Sequence, residues 1–383
     1  MRILRIIASF RPEHGGPIEG IKQMTHALKQ KGVHSELLTL DPPSKHYLRD
    51  FEGDAHGVGP GFLKYGYTSA LKKWLLSNYN RFDCAVIHGL WQYSSYGTAK
   101  ALKSKLPFFV YSHGMLDPWF NRQYPLKYIK KLPYWIFFER YVLKNAKAVF
   151  FTSLAEQRLA RKSFPLFKCR EEVVRYGISV PMLEMEALKR RFLEQNPVLK
   201  GKKYLLFLGR ITPKKGCDLL LKAFENILQK NSYYLVMAGP DSTGLRARLE
   251  KTIQNREVLK KIIWTGMMIG DDKWGAFSLA EAFILPSHQE NFGISVVEAL
   301  SCGKPVLISN KVNIWKEIEG ARAGFVANDD LSGTESLLLK WQALTADNKE
   351  SMALRAHKCF LKHFEVNQAA EDFLRIVNQY GIC

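Results

Sequence analysis

Two glutamates, Glu290 and Glu298, stand eight positions apart in the segment Glu-Asn-Phe-Gly-Ile-Ser-Val-Val-Glu. Glu290 follows the apolar run 282–286, so we expect it in a loop after a buried strand, with Glu298 about one turn into the next helix. Amides in the first turn of a helix lack partners within the helix and suit an anion. The segment could therefore hold sugar hydroxyls with one carboxylate, a phosphate with amides and a ribose diol with the other carboxylate, which describes a nucleotide-sugar site.

The residues between the two glutamates predict a compact turn. Asn291, Phe292 and Gly293 form this turn, Ile294 enters the helix, and the glycine allows backbone to approach a ligand closely. A solvated helix residue at 298 and a dipole-stabilised acid at the helix start are the structural alternative.

A basic turn follows the apolar run 204–208. Arg210 and Lys215 lie five positions apart around a proline in Gly-Arg-Ile-Thr-Pro-Lys-Lys-Gly. A guanidinium fork and an ammonium point charge both bind phosphate oxygens, so the two side chains could hold one diphosphate. An ordinary surface turn fits the same residues.

Strand ends supply further candidate ligand contacts. Thr265, Gly266 and Met267 end the apolar run 262–265, where backbone atoms could hydrogen-bond a nucleobase, and Ala-Gly-Pro at 238–240 offers a similar turn. No pattern here distinguishes uracil from another base.

The first half has comparable positions. Gly15 and Gly16 lie between the first strand and the first helix, but without a full G-x-G-x-x-G their spacing favours a tight turn with proline at the helix start. His113 and His88 each end a strand and precede a glycine, which would place them at the sheet edge.

Alternating strands and helices indicate the fold class. A chain of 383 residues with 46% hydrophobic residues suits two globular domains. The predicted strands are 2–8, 82–87, 107–112 and 148–152, then 204–208, 234–238, 262–265, 282–285 and 305–308. Strands alternating with helices predict α/β architecture, with two tandem Rossmann-like domains at 1–180 and 203–366 and the active site in the cleft between them. The intervening segment is read as a linker plus a helix.

The net charge of +20 is uneven. Residues 1–200 carry 32 Lys and Arg against 16 Asp and Glu, whereas the remainder carries 24 against 20. We expect the basic half to face an anionic partner, either phospholipid or a lipid-pyrophosphate acceptor, with nucleic acid as the competing explanation. Six scattered cysteines and no long apolar run predict a cytoplasmic protein, with peripheral contact at the inner face of the cell membrane. The apolar start of the chain is read as a first strand, since it is short for a signal peptide.

Aromatic and basic residues interleave over 124–140, a composition that suits a lipid interface. A helix with Trp135, Phe138 and Val142 in the core is the alternative, and Pro133 is expected to interrupt it. For stacking on an acceptor sugar the candidates are Trp91, Tyr93, Trp119 and Arg122, together with His88.

The segments 209–216 and 282–308 resemble the G-R-x4-K-G and E-x7-E motifs of retaining GT-B glycosyltransferases, and nearly the whole chain is similar to their family 4. The resemblance implies that Arg210 and Lys215 neutralise the leaving diphosphate and that the Gly15–Gly16 loop covers the donor phosphates. It implies that His113 contacts the transferred sugar and that the last helix, around 367–383, packs back on the first domain.

The same resemblance implies transfer of a hexose, glucose from UDP-glucose as first choice, to a glycan or lipid-linked acceptor in polysaccharide or glycoconjugate biosynthesis. Front-side transfer with retention is expected, with Glu290 orienting hydroxyls and no metal or other cofactor. No D-x-D motif occurs, and Asp271-Asp272 is read as a solvated loop pair. A GT-B-like nucleotide-sugar epimerase and a basic nucleic-acid-binding protein are the alternatives. A dinucleotide oxidoreductase is disfavoured because the chain lacks G-x-G-x-x-G.

Overall fold

A computed structural model describes residues 1–179, 184–227, 233–268 and 270–382. The chain divides into two compact units, the first comprising Met1–Ser179 with Val366–Cys383 and the second Val180–Glu365. Each unit contains one parallel sheet with helices, so the predicted α/β class with two Rossmann-like sheets is confirmed. Residue 180 of the predicted first domain, residues 181–183 of the predicted linker and residue 383 of the predicted last helix lie outside the described residues.

The first unit is built on a seven-stranded sheet in the order β3-β2-β1-β4-β5-β6-β7. Its strands are β1 Arg2–Ile7, β2 His34–Thr39, β3 Ala55–Gly57, β4 Cys84–His88, β5 Phe108–Tyr111, β6 Val149–Phe151 and β7 Glu171–Val173. All neighbouring strands are parallel. The helices between them are α1 Gly16–Gln30, α2 Ser69–Asn78, α3 Tyr93–Leu102, α4 Trp119–Gln123, α5 Pro125–Tyr134, α6 Arg140–Asn145 and α7 Leu154–Ala160.

Burial explains which strands the sequence predicts. β1, β4, β5 and β6 carry near-continuous apolar runs, as expected where helices cover both faces of a parallel sheet. The missed strands β3 and β7, with sequences Ala-His-Gly and Glu-Glu-Val, lie at the sheet edges and are only partly buried. β2 was also missed, because its polar residues 34–36 break the apolar run.

The second unit has a six-stranded parallel sheet in the order β10-β9-β8-β11-β12-β13. Its strands are β8 Tyr204–Leu208, β9 Tyr234–Ala238, β10 Ile262–Gly266, β11 Ala282–Leu285, β12 Val306–Ser309 and β13 Gly324–Ala327, of which only the edge strand β13 was not predicted. The helices of this unit are α8 Met185–Gln195, α9 Cys217–Ile227, α10 Leu245–Glu250, α11 Arg256–Leu259, α12 Asp272–Leu279, α13 Ile294–Ser301, α14 Trp315–Gly320, α15 Leu331–Gln342 and α16 Ala346–His363.

The last helix, α17 Val366–Gln379, belongs to the first unit. It packs against α1, where Lys31 and Glu371 form an ion pair of 2.8 Å. Phe373 of α17 is fully buried and contacts Phe150 of β6. The chain therefore completes its first unit with its final helix.

Pro133 does not interrupt the helix that contains it, which corrects the prediction. α5 continues directly into a π-helical turn, Trp135–Glu139, and then into α6. A π-turn accommodates a backbone whose regular hydrogen-bond ladder is broken, as proline requires. Trp135 and Val142 are buried, as the core alternative predicted, whereas Phe138 is only partly buried.

Among the described residues, no helix has both the length and the apolar run that crossing a bilayer requires.

Candidate active site

Each sheet offers one crevice at the carboxyl ends of its strands. In a doubly wound sheet, ligands bind where the strand order reverses, because the loops diverge there. In the second unit this point lies between β8 and β11, and in the first unit between β1 and β4. Arg210 and Lys215 follow β8, and Glu290 follows β11. The residues predicted to bind phosphate therefore lie on one side of this crevice, and the residue predicted to bind the sugar lies on the other.

Lys215 and Glu290 meet across this crevice. The Lys215 ammonium donates a hydrogen bond to the Glu290 carboxylate, and both side chains are largely buried. The contact depends on Gly216, whose φ is +67° and whose added Cβ would lie 2.1 Å from the carbonyl oxygen of Pro286. Because only glycine fits there, the basic turn sits directly against the end of β11.

Hydrogen bonds hold the two loops together. The carbonyl of Lys214 accepts from the His288 amide at 2.9 Å and from the Ser287 hydroxyl at 2.9 Å. Glu290 is tied to the next loop, since its amide donates to the Lys311 carbonyl and its carbonyl accepts from the Asn313 amide, each at 3.0 Å. The two side chains are thus held by backbone on three neighbouring loops.

Positive charge is concentrated at this turn. Burial, followed by the nearby charges of Lys214 and Arg210, lowers the pKa of Lys215. Arg210 is exposed and makes no hydrogen bond or ion pair within the described part of the chain. An exposed guanidinium beside a buried ammonium can bind a diphosphate that enters from solvent.

Glu298 lies on α13, where its carboxylate is almost completely buried. Lys273, near the start of α12, donates to Glu298 Oε1 at 2.6 Å and packs 4.8 Å from the centre of the Trp274 ring. Both glutamates of the motif are therefore paired with a lysine from another element. Lys273 was not predicted as a site residue, because the residues around it in the sequence carry no motif.

The turn before α13 positions backbone rather than side chains. Gly293 precedes the helix with φ +76°, and Ile294 starts it. The Phe292 ring is buried 5.9 Å from the Phe364 ring, so its side chain belongs to the core. Asn291 Oδ1 accepts from Asn313 Nδ2 at 3.4 Å. Of these residues, Ile294 lies in the first turn of α13, whose amides can face an anion.

The predicted base-binding residues lie at the end of β10, two strands from β8. Gly266 has φ +72°, and its carbonyl accepts from the Gly239 amide at 2.7 Å. A Cβ on Gly239 would lie 1.8 Å from the Gly209 carbonyl oxygen, so three glycine-containing strand ends are in close contact. Met267 is exposed, and the buried Thr265 hydroxyl has no partner among the described residues.

In the first unit, His113 and His88 form one buried cluster after β5 and β4. His88 Nδ1 lies 3.1 Å from His113 Nε2, and the Tyr176 hydroxyl lies 3.4 Å and 3.3 Å from these atoms. Burial lowers the pKa of His113 to about 3, and burial together with His113 lowers that of His88, so both rings are neutral at physiological pH. His88 is almost fully buried, so it supports His113 and its side chain offers no surface to an acceptor.

A buried carboxylate that the sequence analysis missed holds the His113 turn. Glu156 accepts hydrogen bonds from the Ser112 hydroxyl and the Gly114 amide, each at 2.6 Å, and from the Thr152 amide at 2.7 Å. Its signal in the sequence is the S-x-x-E pattern that begins with Ser153, which does cap α7. Glu156 therefore joins the loops after β5 and β6 and fixes the residues on both sides of His113.

The Gly15–Gly16 loop connects β1 to α1 at the crevice of the first unit. Gly15 caps α1 with φ +68°, and nothing lies within 4 Å of a Cβ added there. The loop is exposed, so its backbone is open to a ligand.

Of the two neighbouring predicted acceptor residues, Trp91 and Tyr93, the first contacts a buried carboxylate. Trp91 has φ +70°, and its amide donates to Glu139 Oε1 at 2.6 Å. Burial raises the pKa of Glu139 to about 7. Lys131 lies 4.5 Å from the centre of the Trp91 ring, and Tyr93 packs edge-on against Tyr65. Glu139 is a further residue that the sequence analysis missed.

Trp119 and Arg122 lie on α4, which is distant in the sequence from Trp91 and Tyr93. The Trp119 ring contacts Phe120 and Tyr124 edge-on, and Arg122 is exposed. Arg122 is exposed and Trp119 is partly exposed, so both side chains can be reached from solvent.

Asp271 lies in an exposed turn, as predicted for the pair Asp271-Asp272. The prediction was wrong for Asp272, which starts α12 and forms an ion pair of 3.0 Å with Arg191. The described residues contain no cluster of three His, Cys, Asp or Glu side chains arranged to hold a metal ion.

Two family models match the chain, one in each half. The model described as glycosyl transferase 4-like domain matches residues 15–177, and the model described as glycosyl transferases group 1 matches residues 189–354. The second match includes both the basic turn and the segment with the two glutamates.

Curated relatives match over shorter segments. An uncharacterized glycosyltransferase of Methanocaldococcus jannaschii is 34% identical over 122 residues, covering 32% of this chain and 31% of the relative. The alpha-monoglucosyldiacylglycerol synthase of Streptococcus pneumoniae is 26% identical over 219 residues, covering 56% of this chain and 47% of the relative. The chain thus spans about a third to a half of these relatives.

Solved structures match over the whole fold. A glycosyltransferase from Rickettsia africae has a TM-score of 0.78 at 17% identity, covering 99% of this chain and 98% of that one. Anabaena HepE in complex with UDP-glucose has a TM-score of 0.75 at 16% identity, covering 99% and 100%. These likenesses establish the GT-B fold. With both halves matched by glycosyltransferase family models, the chain belongs to family 4 of the GT-B glycosyltransferases.

Proposed function

We propose that this protein is a retaining hexosyltransferase that moves glucose from UDP-glucose to a glycan or lipid-linked saccharide. The Lys215–Glu290 pair across the β8–β11 crevice is the observation that carries the proposal. It places a side chain suited to binding phosphate next to a side chain suited to binding sugar hydroxyls. The donor is supported by Anabaena HepE, whose structure contains UDP-glucose. A lipid acceptor is supported by the name of the streptococcal relative, which specifies a glucosyl lipid.

The reaction we propose is a front-side displacement. The bond between the anomeric carbon and the diphosphate oxygen breaks, and the acceptor oxygen bonds to that carbon on the same face. The acceptor proton passes to the departing diphosphate. Arg210, Lys215 and the first amides of α13 stabilise the charge that develops there, and Glu290 orients sugar hydroxyls. We assign no metal ion or other cofactor to this step.

The remaining roles follow the same proposal. Glu298 binds the ribose diol, and backbone atoms at Thr265, Gly266 and Met267 hold the base. The roles of His113 at the transferred sugar and of Trp91 and Tyr93 at the acceptor stay predictions from the sequence. The protein works in polysaccharide or glycoconjugate biosynthesis at the cytoplasmic face of an anionic membrane, to which its basic half binds peripherally.

A donor panel tests this function. Purified protein is incubated with UDP-, GDP-, ADP- and dTDP-sugars in EDTA without acceptor, and nucleotide release and the anomer of the freed sugar are followed. Slow release of UDP from UDP-glucose, with the α-anomer appearing first, is expected. If the protein neither bound any donor nor released a nucleotide from it, the proposal would be overturned. Interconversion of two UDP-sugars without nucleotide release would indicate an epimerase.

A further inference from the structure

The exposed apolar side chains of this protein concentrate in two short segments of the first unit. Among the described residues, ten of the eighteen exposed large hydrophobic side chains lie within 62–67 and 115–137. Soluble surfaces normally scatter such residues singly, and a concentration of them indicates an interaction site.

The first segment is a tight hairpin, Phe62–Tyr67. The Phe62 amide donates to the Tyr67 carbonyl at 2.8 Å, and the Gly66 amide donates to the Phe62 carbonyl at 3.1 Å. Phe62, which closes the hairpin opposite Tyr67, is 69% exposed, and Leu63 at the tip is 77% exposed with φ +53°. A left-handed backbone is unfavourable for leucine, and an exposed apolar side chain gains nothing from the protein that could offset this. The tip is therefore shaped for something outside the protein.

Contacts of Tyr65 fix the hairpin to two helices. Its carbonyl accepts from the Tyr93 amide at the start of α3, at 2.8 Å, and its hydroxyl lies 3.1 Å from that of Tyr134 at the end of α5. The Tyr65 ring packs edge-on against both of these tyrosines. The hairpin is thus a supported projection beside α5.

α5 presents a surface of matching chemistry. None of its residues is buried; Leu126 is 75% exposed, and Phe137 in the π-helical turn that follows is 71% exposed. Lys127 and Lys130 are exposed on the same helix. No Asp or Glu occurs within 118–138 or 55–82. Asp117 and Glu139, which flank the first range, are buried, whereas Asp54 and Asp83, which flank the second, are exposed. The hairpin and α5 themselves are therefore apolar and basic, with no acidic side chain.

We propose that the Phe62–Tyr67 hairpin is a wedge that inserts into an anionic phospholipid surface. Phe62 and Leu63 enter the boundary between headgroups and acyl chains, while Lys127 and Lys130 of α5 bind the headgroups. Apolar insertion and electrostatic attraction together give stable but reversible attachment, which neither provides alone. This inference rests on the peripheral membrane contact of the proposed function and names the element that makes it.

Vesicle binding of the full chain tests the wedge. Flotation with phosphatidylcholine vesicles, with and without phosphatidylglycerol, is measured at low and high salt for the wild type and for Phe62→Ser/Leu63→Ser. The double variant is expected to bind mixed vesicles at least about tenfold more weakly and to lose its binding at high salt, because only the apolar part resists screening. Lys127→Gln/Lys130→Gln should lose about fivefold per lysine at low salt.

A matched control removes two equally apolar residues elsewhere. Leu354 and Leu361 of α16, 63% and 46% exposed, are replaced by serine in Leu354→Ser/Leu361→Ser, which should bind vesicles like the wild type. The proposal would be overturned if the hairpin variant bound vesicles as tightly as the wild type. It would also be overturned if the wild type bound phosphatidylcholine vesicles as tightly as vesicles that also contain phosphatidylglycerol. A concentration-dependent dimer that the hairpin variant abolishes, with no vesicle binding, would instead assign the tip to a second copy of the chain.

Donor turnover separates this inference from the proposed function. UDP release from UDP-glucose without acceptor uses none of the hairpin residues, so Phe62→Ser/Leu63→Ser should retain it. If the protein bound vesicles but released no UDP from UDP-glucose, the enzyme proposal would be refuted and the wedge would be retained. If it released UDP but did not bind vesicles, the wedge would be refuted and the enzyme proposal retained.

Discussion

The Lys215 ammonium donates a hydrogen bond to the Glu290 carboxylate from the opposite side of the crevice between β8 and β11. The two residues are 75 positions apart in the chain and come from separate motifs. Their contact makes one local arrangement of charges from a basic turn and an acidic loop.

Arg210→Ala should decrease UDP release from UDP-glucose about a hundredfold to a thousandfold, the usual effect of removing one donor that stabilises developing charge. Because Arg210 is exposed, the melting temperature should not change. Arg248→Ala, at an exposed arginine of α10, is the matched control and should retain full turnover. Wild-type kinetics for Arg210→Ala would remove this residue from the diphosphate site.

Lys273→Met should weaken UDP binding about tenfold, because Glu298 loses its charged hydrogen-bond donor. Calorimetric titration with UDP and 2′-deoxy-UDP provides the readout. The ratio of the affinity for UDP to that for 2′-deoxy-UDP should decrease in both Lys273→Met and Glu298→Gln. In the double variant, the losses of UDP affinity should not add. A preference for ribose that both single variants retain would exclude Glu298 from the ribose site. Lys260→Met, at an exposed lysine of another ion pair, is the control.

The kcat/KM for UDP-glucose should fall as the pH rises through about 7. Burial lowers the pKa of Lys215 to about 7, so the free enzyme loses this positive charge at mildly alkaline pH, where the diphosphate remains anionic. Lys215→Arg should flatten the profile between pH 6 and 9, because a guanidinium stays protonated far above that range. An unchanged inflection in that variant would assign the titration to another group.

Glu139→Gln should stabilise the protein at neutral pH. Burial raises the pKa of Glu139 to about 7 in the folded state, above its value of about 4.3 in an unfolded chain. The folded state therefore binds more protons in this interval, and wild-type stability declines as the pH rises from about 4.5 to 7. Above that interval the substitution should add up to about 3 kcal/mol to the free energy of unfolding. Chemical denaturation of the wild type and of Glu139→Gln at pH 5 and pH 8 measures the free energy of unfolding. An equal increase at both pH values would show that the stabilisation does not come from the raised pKa of Glu139.

Gly216→Ala should destabilise the second unit far more than Gly244→Ala. Both glycines have positive φ, +67° and +64°, so each substitution costs about 1–2 kcal/mol in backbone strain. Only at Gly216 does the new Cβ meet backbone, 2.1 Å from the Pro286 carbonyl oxygen, whereas nothing lies within 4 Å at Gly244. Equal losses of stability in the two variants would show that the loops separate easily.

The sequence predicted those parts of the fold that are marked by continuous apolar runs. β8, β9 and β11 have the predicted bounds because buried parallel strands read as uninterrupted hydrophobic segments. Edge strands such as β7 and β13 are short and only partly buried, so their composition resembles that of loops. The helical course through Pro133 was mispredicted because a π-turn has no sequence signature that we could recognise.

The candidate site was predictable where a motif coincides with a strand end. Arg210, Lys215 and Glu290 follow buried strands, so topology alone brings them to one sheet edge. Lys273 and Glu156 could not be assigned in this way, since each acts on a residue distant in the chain. Phe292 shows the converse, because its side chain packs in the core although its neighbours form the turn.

The fit of Gly216 against Pro286 also bears on the entropy of ligand binding. With Lys214 joined to both Ser287 and His288, the basic turn has little freedom to move independently of the loop after β11. A ligand that binds there would immobilise few additional backbone torsions, because folding has already restricted them. The second unit is therefore a preorganised receptor at this crevice, and its affinity for a ligand should depend on contact chemistry more than on loop ordering.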